Sequence, residues 1–172
     1  MTPIEEFFYG IEHTALSQWV VGESMLAFPL ILSVHTVGMG LITGIGVAIG
    51  LRLLGYAPGV PVSALEKFYP VFWAAFAANA ASGVLLLAGY PYKAATNPDF
   101  YIKLTLIALG VYLTVKIRRD VLLSPDANTV ASTALARRLA LLLMTVWFGT
   151  ILSGRLLAYT FKWLRVGIPG GF

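Results

Sequence analysis

SMLAFPLILSVHTVGMGLITGIGVAIGL, residues 24–51, contains no Asp, Glu, Lys or Arg. As one helix it would run about 42 Å, longer than a hydrocarbon core of about 30 Å. Tilt, or a kink at Pro29, is expected to absorb the excess. Three further apolar stretches follow, at 68–92, 100–119 and 139–159. Lys103 and Lys116 stand near the ends of the third, where long stems can reach the interface. Tyr90, Tyr92, Phe100, Tyr101, Tyr159, Phe161 and Trp163 suit interfacial positions.

Composition agrees. The 172 residues are 58% hydrophobic and 12% charged, about half the charge of a soluble domain. Mean hydropathy is +0.81. A water-soluble fold of this size could not cover its exterior with so little polar surface. The absence of cysteine excludes disulfides, iron–sulfur clusters, thiolate zinc and haem attached through Cys-x-x-Cys-His. The opening charges are acidic, Glu5, Glu6 and Glu12, unlike a cleaved signal peptide.

The expected fold is all-α, a transmembrane four-helix bundle running up-down-up-down, with an N-terminal amphipathic helix at the interface. Residues 1–22 form the interfacial segment, 23–165 the bundle and 166–172 a C-terminal tail. In the first segment Ile4, Phe7, Phe8, Ile11 and Ala15 recur at helical spacing, with an unstructured tail as the alternative. Ser124, Pro125 and Asp126 read as a turn, after which ANTVASTALARR resumes as helix. Small residues four apart, among them Gly40–Gly44, Gly46–Gly50, Asn79–Gly83 and Thr150–Gly154, mark close helix packing.

Seven of the twelve basic residues, Arg52, Lys67, Lys116, Arg118, Arg119, Arg137 and Arg138, fall on one side of the spans. That bias puts both termini outside, in the periplasm of a bacterial inner membrane. The net charge of +4 therefore reports topology, and no nucleic-acid partner is expected.

Polar groups at depth are costly unless paired, so they are the candidate site. His35 sits 17 residues before Arg52 and Arg155 sits 17 past Arg138, which gives similar depth. Asn79 and Lys103, like them, fall near the centre or in the outer half of the bilayer. Three readings compete. In one, Arg155 and Lys103 attract an anion, quinone or lipid head group while His35 and Asn79 supply directional hydrogen bonds. In the second, His35 is an axial ligand of haem b and His13 the other, the chain turning back through 18–24. In the third, His35 and Asn79 pair across helices, and Lys103 and Arg155 snorkel. Copper is a weaker metal candidate, through His35 with Met39 one turn on. A small oligomeric transporter, or a subunit of a larger membrane complex, are further classes. No metalloprotease, phosphate-loop or nucleophile-elbow motif is present, and the sequence assigns no reaction.

In order along the chain, SVHTVGMG at 33–40, GLRLLG at 50–55, FYPVFWAAF at 68–76, NPDFYIK at 97–103 and SGRLLAY at 153–159 resemble a bacterial family of small four-helix membrane proteins of unknown function. The resemblance implies four spans and directs attention to His35, Arg52, Lys103 and Arg155. A more distant likeness to copper-resistance membrane domains and cytochrome-b-like bundles implies copper or haem, although this chain lacks their multiple intramembrane histidines.

Overall fold

The computed structural model describes residues 3–23 and 25–164, so the 166–172 tail lies outside the described residues. Every long element is helical. The short helix α1 spans Pro3–Glu12 and α2 Ala15–Gln18. The bundle helices are α3 (Ala27–Leu53), α4 (Tyr69–Gly89), α6 (Pro98–Ile117) and α8 (Ala134–Leu164), with α5 (Pro91–Ala95) and α7 (Ala127–Ala131) in the connections. A 3₁₀ segment, Val62–Phe68, leads into α4, and π turns occupy Trp19–Glu23 and Arg118–Leu122. Four helical stretches are long and apolar enough to cross a membrane: Ala27–Leu53, Val62–Gly89, Pro98–Leu122 and Ala134–Leu157. The protein is a transmembrane four-helix bundle.

Local chemistry sets the boundaries. Pro29 falls in the first turn of α3, where a backbone N–H has no intrahelical acceptor to lose. Proline is accommodated there without loss of a helical hydrogen bond, and tilt is the other way expected to absorb the length of this span. Gly55, at φ +101°, turns the chain out of α3, a conformation costly for any residue with a Cβ. Arg52 then donates to the carbonyls of Val60 and Pro58 and holds the following loop against the helix end. Asn97 caps α6 by accepting from Asp99 N at 3.0 Å, with Pro98 at the first helical position. Asn97 is fully buried, and its amide also donates to Thr160 on α8 at 2.9 Å. At the N-terminus the amphipathic helix expected in the interfacial segment breaks after Glu12, and Thr14 accepts from Ser17 N to start α2. Helix α1 lies across α5, with Phe8 edge-on to Tyr92.

The small residues decide which helices meet. Helix α3 packs on α4 through Gly38, where an added Cβ would lie 3.1 Å from Ala75 O and from Asn79 Cβ. It packs on α8 through Gly46 and Gly50, against Trp147 and Met144. The Trp147 indole then crosses to α6, where Gly110 makes room for it. Gly40 and Gly44 instead face outward with open space beyond them, so only part of the expected close packing on α3 lies inside the bundle. The helices are therefore arranged α4–α3–α8–α6.

The remaining pair, α4 and α6, is joined at one end only. There the Tyr69 hydroxyl donates to Thr114 O at 3.0 Å. The Arg118 guanidinium lies 5.3 Å from the Tyr69 ring centre and binds the Glu66 carboxylate, with Nε at 2.8 Å from Oε1. Lys116 and Arg119 both bind Asp120. Toward the opposite end α4 and α6 make no extended contact. A simple up-down bundle would pack these chain-adjacent spans together. Here Phe76 and Leu87 of α4 and Phe100 and Ile107 of α6 line open space between the two helices.

Candidate functional site

The space left between α4 and α6 is a cavity of about 250 Å³. Its walls come from all four bundle helices. His35, Met39 and Ile42 belong to α3; Phe76, Asn79 and Gly83 to α4; Phe100, Lys103 and Ile107 to α6; Trp147 to α8. Val84 and Leu104 also line it and are 65% and 47% exposed, which puts them on the rim facing the surroundings. A second chamber of about 270 Å³ continues toward α5, reaching Tyr90 and Lys93. The two chambers share His35, Gly83, Leu87, Phe100 and Lys103, which form a waist between them. Each volume lies just below the range usual for drug-sized ligands, about 300–1,000 Å³.

His35 is oriented by α4. Its Nδ1 lies 3.1 Å from Asn79 O and 3.1 Å from Ser82 Oγ. A carbonyl oxygen only accepts, so the Nδ1 facing it carries the proton. In return, Asn79 Nδ2 donates to His35 O at 2.6 Å. Ser82 Oγ donates to Ala78 O at 2.7 Å, which leaves its lone pairs turned to the imidazole. Gly83 completes the seat: a Cβ there would come within 3.2 Å of His35 Cε1. In its neutral form the ring then offers Nε2 as an acceptor, and no described residue uses it.

Lys103 approaches from the other side. Its stem lies over Gly154 of α8, where a Cβ would sit 3.5 Å from both Cε and Nζ. Lys103 and His35 both line the waist. Among the described residues Lys103 makes no hydrogen bond and no ion pair, not even with Asp99 four residues before it. The indole N–H of Trp147, a residue 1% exposed at the inner end of the first chamber, likewise has no partner.

Of the five residues singled out from sequence, the structure brings His35, Asn79 and Lys103 together. Arg155 does not join them. It follows Gly154 by one residue, which turns it to the exposed surface of α8. His13 is not in the wall either. It is exposed just past α1, with its ring against Tyr9 and Nδ1 donating to Tyr9 O at 2.8 Å. Of the 18–24 stretch expected to turn back and deliver it, the described Trp19–Glu23 is a helical π turn.

These positions test the metal readings. A second axial imidazole is missing from the wall, and Met39 lies on the same helix as His35, one turn on, so it cannot take the opposite axial place. The residues do not fit a two-ligand haem. Copper through His35 and Met39 would have two donors from this site. Met144 is packed against Gly50, and Met25 is 93% exposed. Among the described residues no three His, Asp or Glu gather to hold a metal ion.

Sequence reasoning missed Ser82, Gly83 as the imidazole seat, and Trp147 as the cavity's inner end. The Asn79–Gly83 spacing carried part of that signal. No protein-family model, curated protein or solved structure matches the chain.

Proposed function

We propose that this membrane protein binds a small amphiphile that enters from the bilayer between α4 and α6. The observation that carries the reading is the cavity itself. It takes the place of a helix–helix interface, has apolar walls, and gathers two polar side chains, His35 and Lys103, at its waist, with Asn79 in the first chamber beside them. A molecule with an apolar body and a polar head matches that division. The role is that of a binding module, acting alone, as an oligomer or beside a membrane partner. The excess of basic residues at the Arg52, Arg118 and Arg138 end supports a bacterial inner-membrane setting with both termini periplasmic.

A photoactivatable acyl chain bearing a diazirine, incorporated into membranes that contain the protein, tests the reading. After irradiation and peptide mapping, adducts are expected to concentrate on 80–87 of α4 and 100–107 of α6. Val37 and Leu41 of α3, 62% and 46% exposed, report ordinary lipid contact. Labelling of α3 as heavy as that of the gap would refute an entry site there.

A further inference from the structure

The waist has a more specific chemistry, which deepens the amphiphile reading and rests on it. Lys103 brings a cation into an apolar wall with no acidic partner among the described residues. An uncompensated charge in that setting is costly, and an anionic ligand atom would offset the cost. His35 adds a second condition. Its Nδ1 is committed to Asn79 O, so in the neutral form of the ring Nε2 presents a lone pair. That lone pair repels a bare anionic oxygen and attracts a hydroxyl. The complementary head therefore carries an anionic oxygen and an O–H donor together. A carboxylate has the first and an alcohol the second. A phosphate monoester in its singly ionised form has both.

We propose that the waist holds the head of a phosphate-monoester amphiphile, an anionic oxygen on Lys103 Nζ and the phosphate hydroxyl donating to His35 Nε2. The alkyl chain lies in the apolar chamber that ends at Trp147. Lysine acts on the phosphate as a point charge and needs no fixed fork of donors. Its stem, supported over Gly154, sets where that charge stands. Free inorganic phosphate has the same head chemistry but no chain to fill the apolar chamber.

Native mass spectrometry of the full chain in detergent at pH 6 tests this with decyl phosphate, decanoate, decanol and inorganic phosphate. Decyl phosphate is expected to fill one site at least tenfold more tightly than decanol, with decanoate between them and inorganic phosphate unable to compete. Lys103→Met should bring decyl phosphate to the level of decanol and leave decanol unchanged, whereas Lys103→Arg keeps most of the preference. Equal binding of decyl phosphate and decanol, or an undiminished preference in Lys103→Met, would overturn the head-group assignment and leave the amphiphile reading standing. Failure of all three ten-carbon compounds to bind would overturn both. Inorganic phosphate competing as well as decyl phosphate would replace the lipid head with a free-anion site.

Discussion

Trp147→Ala is expected to lower the stability of the solubilised protein by about 3 kcal/mol. Trp147 is 1% exposed, the largest of the fully buried side chains, and touches α3, α4 and α6 from its place on α8. Large-to-small changes in soluble cores cost about 3–5 kcal/mol for Trp. The low end applies here because lipid removes the transfer-from-water part and leaves the loss of packing. Unfolding midpoints in detergent measure the effect. The adjacent Phe148→Ala is the control: Phe148 is 57% exposed, and its truncation should cost under about 0.5 kcal/mol. Equal losses from the two would mean that Trp147 does not join the helices.

Gly46→Val approaches the same contact from the opposite side. An added Cβ at Gly46 would stand 2.8 Å from Trp147 Cδ1. The indole has little room to retreat, because the Cβ direction of Gly110 points at its other edge, 2.9 Å from Cζ2. Overpacking of this kind costs about 1–3 kcal/mol. The two changes should be strongly non-additive. In Trp147→Ala, valine at 46 enters vacated space and is expected to cost little or to restore stability. Additive losses in the double mutant would show that the glycine and the indole do not share one contact.

The membrane-spanning helices were legible because the chain excludes charge from runs such as 27–51, and no soluble fold tolerates that. His35, Asn79 and Lys103 were legible for a related reason: a polar group at depth needs a partner or a purpose. Depth, however, is a coordinate along the helix and says nothing of direction around it. Arg155 shares the depth and faces outward, while its neighbour Gly154 faces Lys103. Ser82 drew no notice because serine is common in membrane helices, and its part depends on His35 arriving from 47 residues away. The gap between α4 and α6 was hidden for a topological reason. Short connections predict that consecutive spans pack together, but glycines on α3 and α6 drew the Trp147 side of α8 into the contact instead.

The central claim is that the cavity admits an acyl chain from the bilayer, and Trp147 can report it. A variant retaining only this tryptophan, with Trp19, Trp73 and Trp163 replaced by phenylalanine, would be placed in nanodiscs containing bromine-labelled acyl chains. Bulk lipid cannot touch a side chain 1% exposed, whereas a chain inside the cavity would lie against it. The predicted result is clear quenching of Trp147, relieved by Ala80→Phe, which fills the cavity wall on α4. A Trp147 that stays bright at bromolipid levels that quench a variant retaining only Trp73, 40% exposed, would contradict the claim.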